Sequence, residues 1–166
     1  YYYNFVATNK KHIWAEVLNY MNYDIITMGN HDIEAGHTVY DKIVKEIKAP
    51  IIVANLINEK TKEPYFKPYS IIKKSGIKIA ILGMIEPAIE RQLPKILYEG
   101  IRAEDMIECA KKWIKIIKEK EKPDLIIGLF HSGANYTEDK EKYKNENASQ
   151  LVAQEVDGFD IIFVGH

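Results

Sequence analysis

Apolar positions along this chain fall into two kinds of run that alternate. Residues 10–22 (KKHIWAEVLNYMN) carry Ile13, Trp14, Val17, Leu18 and Met21 at the three- and four-residue spacing of one helix face. The next run, DIITMG, is continuously apolar and predicts a buried strand. Residues 37–48 resume helical spacing through Val39, Ile43, Val44 and Ile47, with Gly36 just before them. Pro50 stops that helix and opens a strand, IIVANL. Two further strands, YSIIKK and IKIAILGM, flank Ser75-Gly76, a hairpin signal. Residues 86–100 hold Pro87, Pro94 and Gly100 and read as loop with a short helix. Residues 103–122 predict the longest helix, with Met106, Ile107, Ala110, Trp113, Ile114 and Ile117 inward and lysines outward. Pro123 ends it and DLIIGLF begins a strand. The charged loop ANYTEDKEKYKNE leads to a helix, NASQLVAQEV, in which Asn147 and Gln150 have capping-box spacing. Gly158 closes that helix, and DIIFVGH is a last strand.

Continuous apolar runs suit strands covered on both faces. Helices between strands imply parallel pairing through right-handed crossovers, and the hairpin adds antiparallel pairing. The expected class is α/β with mixed sheets. The length, 166 residues, is that of one domain. With 46% hydrophobic and 28% charged residues the chain has the composition of a globular protein. A net charge of −1 gives no overall electrostatic pull toward a nucleic-acid polymer or an anionic membrane. Cys109 is the one cysteine, which excludes an intrachain disulfide and a CxxC metal knuckle; it falls beside the apolar stripe of the long helix, as a core residue does. No apolar stretch reaches transmembrane length. The first residue is Tyr1, so the lack of a visible signal peptide says nothing about compartment.

One local arrangement occurs three times: an Asp, an apolar strand, then a histidine. DIITMGNHD, DLIIGLFHSG and DIIFVGH place His31, His131 and His166 at three strand tips. Parallel strands of an open α/β sheet bring such tips to one rim, where ligands gather. A single histidine there is commonly just a polar residue leaving the core. Three of the five histidines in one context is a different matter. Asn30 adjoins His31, and Asp32 and Glu34 follow. Imidazole nitrogens and an amide oxygen suit a borderline divalent ion such as Zn, Mn or Fe. His12 and His37 lie in helical stretches and are assigned no role.

GNHD after one strand, HSG after a second, and a strand ending GH together resemble the calcineurin-like metallophosphoesterases. GNHDIEAG, the VANL stretch around Asn55, HSGANY, and ENASQLVAQEVDGFDIIFVGH are similar to the branch holding 5'-nucleotidases and 2',3'-cyclic-nucleotide phosphodiesterases. The resemblance implies a layered α-β-β-α sandwich. It also implies that residues 1–166 are an internal part of one catalytic domain. The resemblance further implies that the family's Asp-x-His and Gly-Asp metal motifs, the end of its Gly-His-x-His motif and its C-terminal nucleotide-binding domain lie outside these 166 residues.

On the same resemblance, Asn30, His131 and His166 hold one ion of a divalent pair (Mn, Zn, Fe or similar), a partial site. His31 faces the substrate, with Glu34 as its carboxylate partner and Asp32 the second choice. The implied function is metal-dependent hydrolysis of nucleotide phosphate esters. The implied partner is a small nucleotide, and the implied location is the periplasm or cell surface. Three uncharged ligands leave a dication uncompensated, so the chain alone is expected to bind metal weakly and act poorly. Two other readings remain open: a metal-free binding or scaffold module on the same fold, and a phosphoesterase for a different substrate, such as a nucleotide sugar or a sulfosugar. Several tyrosines, including Tyr65, Tyr69 and Tyr136, are expected to be structural.

Overall fold

The computed structural model describes residues 10–134 and 146–166. The charged loop ANYTEDKEKYKNE, with Tyr136, falls almost wholly outside them. The mixed α/β architecture expected from the sequence is what the structure shows, with no closed barrel among the described residues. Its main sheet has four strands in the order β2 (Tyr69–Lys74), β3 (Ile77–Ile85), β5 (Leu125–His131), β6 (Ile161–Gly165). A smaller antiparallel pair joins β1 (Leu56–Asn58) to β4 (Ile101–Ala103).

The hairpin forms where the sequence places it. Lys74 faces Ile77, and the two turn residues Ser75 and Gly76 have φ of 50° and 85°. Both are left-handed, as the tight turn matching strand twist requires. β3, β5 and β6 run parallel, with Ile85 level with His131 and His131 level with Gly165. Two of the aspartates that lead the repeated pattern staple the strand starts. Asp124 accepts the Lys78 N–H at 2.7 Å, and Asp160 accepts the Ile126 N–H at 2.7 Å. Asp24 instead pairs with Lys74 at 2.8 Å, on the surface.

The crossover from β3 to β5 is helix α5 (Met106–Lys120); we number the earlier helices α1 (Ile13–Met21), α2 (Asn30–Ile33), α3 (His37–Glu46) and α4 (Ile89–Gln92). The Asp105 side chain caps α5 by accepting the N–H groups of Ile107 and Glu108 at 2.9 and 3.0 Å. Its stripe Met106, Cys109, Ala110, Ile114 and Ile117 buries against Ala80, Leu82, Met84 and Ile126 of the sheet. Each such large aliphatic side chain contributes about 1.5–3 kcal/mol. Helix α6 (Ser149–Glu155) carries β5 to β6 and adds Val152 to the same core. A second core, with Ile33, Tyr40, Val53, Leu56, Ile85 and Ile89, forms around the β1/β4 pair and the short helices. The chain at 51–54 passes so close to β3 that a Cβ on Gly83 would lie 2.2 Å from the Ile52 carbonyl oxygen. Only glycine permits that approach.

Five expectations are corrected. DIITMG is not a full strand: it is extended chain with a single parallel bridge, Ile26 to Ile51. IIVANL likewise breaks up, bridging Lys67 through Ile52 before joining β4 through Leu56. The reason is that this segment changes neighbours as it crosses over Gly83. β6 is apolar yet not covered on both faces: it comes last in the strand order among the described residues, and Phe163 is 56% exposed. Within α1 only Ala15 is buried, while Trp14 is 50% exposed. The capping box at Asn147 does not form. Helix α6 starts after Ala148 without a side-chain cap, and Asn147 lies instead against Gly133. No helix among the described residues is long and apolar enough to cross a membrane.

Candidate active site

Level register puts the ends of β3, β5 and β6 side by side. His131 ends β5 and His166 directly follows β6. Asn30 opens α2, just after the extended chain that leads up to the same rim. The Asn30 Oδ1 atom lies 3.0 Å from His131 Nε2, and His166 Nδ1 lies 3.3 Å from that same nitrogen. The two imidazoles meet edge to face, with centroids 5.2 Å apart and planes at 80°. The structure therefore brings Asn30, His131 and His166 together, although 101 residues separate the first two.

His131 is held without slack. A Cβ on Gly29 would sit 2.8 Å from its Cε1 and Nε2. Burial, then the neighbouring His166, lowers the His131 pKa and favours a neutral ring with a free lone pair.

Around this trio lies a polar shell that the sequence did not reveal. Asn30 Nδ2 donates to Gln92 Oε1 at 2.9 Å, and Gln92 Nε2 donates to Glu146 Oε2 at 3.0 Å. The same Glu146 oxygen is 3.7 Å from His166 Nε2. Glu86 follows β3 directly and is fully buried. Its Oε2 accepts the Ala88 N–H, and its Oε1 has no hydrogen-bond partner among the described residues. Burial raises its pKa, opposed by the Ala88 N–H and by the charge of His166. A buried acid beside the donors, with one oxygen unsatisfied, suits a cationic neighbour. Gln92 sits in a stretch read as loop with a short helix, and its role at the site left no signal. Glu86 did leave one: like the histidines, it is an ionisable residue at the end of an apolar strand.

His31 stands apart from the trio, with its side chain 79% exposed. Its Nδ1 is 2.7 Å from Glu34 Oε1. That hydrogen bond, reinforced by the carboxylate's charge, raises the His31 pKa. Asp32 turns the other way and accepts the Gly29 N–H at 2.8 Å, so it ties off the first turn of α2. His37 is a packing node: it donates from Nε2 to the Glu99 carbonyl at 2.8 Å and accepts from the Tyr40 hydroxyl at 2.7 Å. Tyr65 joins this node through Asp41 at 3.0 Å, and Tyr69 bonds Glu121 at 3.1 Å.

The donor set fits a borderline divalent ion. Ligands about 2.1 Å from an ion lie roughly 3.0–3.4 Å from each other, depending on geometry, and the two measured separations are 3.0 and 3.3 Å. No group of three His, Cys, Asp or Glu among the described residues could hold an ion. The convergence needs the amide oxygen of Asn30 as its third member.

The family model described as calcineurin-like phosphoesterase matches residues 3–166. A 2',3'-cyclic-nucleotide 2'-phosphodiesterase/3'-nucleotidase of Haemophilus influenzae is 29% identical over 160 residues, which is 91% of this chain and 24% of the relative. A 5'-nucleotidase of Vibrio cholerae is 38% identical over 114 residues, covering 68% of this chain and 20% of the relative. The crystal structure of the calcineurin-like phosphoesterase YfkN from Bacillus subtilis superposes with a TM-score of 0.84 at 28% identity, over 99% of this chain and 51% of that one. The chain thus spans under a third of the length of these curated relatives.

Proposed function

This chain belongs to the calcineurin-like phosphoesterase family, and from that premise we propose that it serves the metal-dependent hydrolysis of nucleotide phosphate esters. The substrates proposed are nucleoside monophosphates or 2',3'-cyclic nucleotides, in keeping with the names of its relatives. The supporting observation is the meeting of Asn30 Oδ1, His131 Nε2 and His166 Nδ1 within 3.0 and 3.3 Å at the strand tips. These three would hold one ion of a divalent pair. Such a pair, when bound, polarises phosphoryl oxygens and acidifies water.

The remaining work falls to side chains. His31, exposed at the rim, holds a proton on its ring and meets the phosphoryl or leaving oxygen. Glu34 keeps that ring charged and fixes its orientation from 2.7 Å. Asp32 serves the backbone, through Gly29, rather than the ring. An exported location, periplasmic or cell-surface, belongs to the same proposal.

The test is phosphate release by the full-length protein from an aryl phosphate, from AMP and from 2',3'-cyclic AMP, with and without EDTA. EDTA-sensitive release from at least one ester is expected. No metal-dependent release from any of them would refute the proposal. Because the three converging donors are uncharged, the 166-residue chain should bind Mn²⁺ or Zn²⁺ with a dissociation constant above about a micromolar.

A further inference from the structure

We infer that Glu146 and Gln92 form a polarity relay that dictates which end of the Asn30 amide faces the His131–His166 corner; the inference rests on the metal-site reading above. The two ends of a side-chain amide are nearly the same shape but opposite in function. The oxygen carries lone pairs, and the NH₂ carries only donors. Rotated by half a turn, Asn30 would present hydrogens to the corner and hold no ion. Something must select the productive orientation, and Asn30 is only 5% exposed, so bulk water does not.

The observed contacts select it step by step. A carboxylate has acceptors alone, so Glu146 can receive only the Nε2 end of Gln92, as it does at 3.0 Å. That leaves Gln92 Oε1 toward Asn30, where it can receive only Nδ2, as it does at 2.9 Å. Oδ1 is thereby left facing His131 Nε2 at 3.0 Å. Glu146 also lies 3.7 Å from His166 Nε2. A single carboxylate therefore fixes, through Gln92, the orientation of the Asn30 amide. Gln92 is a positioning residue, acting on the site only through Asn30. Partners of this kind typically change metal affinity 10–100-fold when removed.

The test uses the intact chain and three variants: Gln92→Leu, Glu146→Gln, and the double variant Gln92→Glu/Glu146→Gln, which reverses the bond between positions 92 and 146 but keeps an acceptor-only group facing Asn30 Nδ2. Two quantities are read: the side-chain amide resonances of Asn30 in metal-free protein, and Zn²⁺ affinity by titration. For Gln92→Leu, altered Asn30 resonances and a 10–100-fold loss of Zn²⁺ affinity are expected. The double variant should bind Zn²⁺ more tightly than Glu146→Gln alone. Unchanged Asn30 resonances and unchanged affinity in Gln92→Leu would overturn the relay. Should Gln92→Leu fail to fold, the pair of Glu146 variants decides, and no recovery in the double variant overturns it. If the unaltered chain binds no Zn²⁺, the metal-site reading is what suffers, and the metal-free Asn30 resonances still decide the relay.

Discussion

Replacing Gly29 by alanine isolates the packing around His131 from every other variable. Gly29 has φ −107° and ψ 170°, an extended conformation that alanine adopts without strain. The added methyl, however, would lie 2.8 Å from both Cε1 and Nε2 of His131 and 3.0 Å from Cδ2. Ordinary contact begins at about 3.5 Å, so the ring must retreat by roughly 0.7 Å or more. Asn30 follows Gly29 directly, so that retreat also draws Nε2 away from Oδ1. Their present separation is 3.0 Å. Moved apart by that amount, they would stand at about 3.7 Å, beyond hydrogen-bond length. Overpacking of this size costs about 1–3 kcal/mol, which in a domain of this length lowers Tm by roughly 2–4 °C per kcal/mol. A displacement near 1 Å at a reacting centre costs on the order of 100-fold in rate. Thermal denaturation, Zn²⁺ titration followed at the His131 ring resonance, and EDTA-sensitive phosphate release together make the assay. Gly29→Ala protein with unaltered Tm, ring resonance and Zn²⁺ affinity would refute the claim that His131 is wedged in place.

Two further outcomes follow from the same geometry. His31 should titrate above its usual value of about 6.5, because Glu34 favours the protonated ring; the proton is present below that raised pKa and lost as pH rises through it. In Glu34→Gln the NMR midpoint and the alkaline limb of hydrolysis should both move to lower pH, and an unmoved midpoint would disprove the pairing. Asn55 is fully buried and ties both the N–H and the C=O of Ile85, at 2.9 and 2.7 Å. Asn55→Ala should leave both groups unpaired and cost about 2–4 kcal/mol in urea denaturation, whereas a cost below about 1 kcal/mol would show that water replaces the side chain.

The parts of the fold legible in the sequence are those set by neighbours along the chain. The stripe Met106, Ala110, Ile114 and Ile117 is a helical period, and it buries as that period requires. Ser75-Gly76 is a tight turn because few residue pairs accept left-handed backbone twice in succession. Parallel packing of β3, β5 and β6 followed from apolar runs separated by helices. Where the reading failed, the deciding partner was distant. DIITMG has strand composition, yet it finds only one bridge, to Ile51. DIIFVG has the same composition, yet it comes last in the strand order among the described residues and Phe163 is exposed.

The candidate site divides in the same way. Residue types and their strand-tip positions, His131, His166 and the GNHD turn, are properties of the chain as written, because strand periodicity and breakers act over a few residues. Tertiary structure alone decided that Asn30 and His131 meet across 101 residues, and that Gln92 and Glu146 meet across 54. It also decided that His31 leans on Glu34 while Asp32 turns back to Gly29. Hydrogen-bond direction and donor spacing depend on strand register, and register is settled by which apolar faces bury together, not by local sequence.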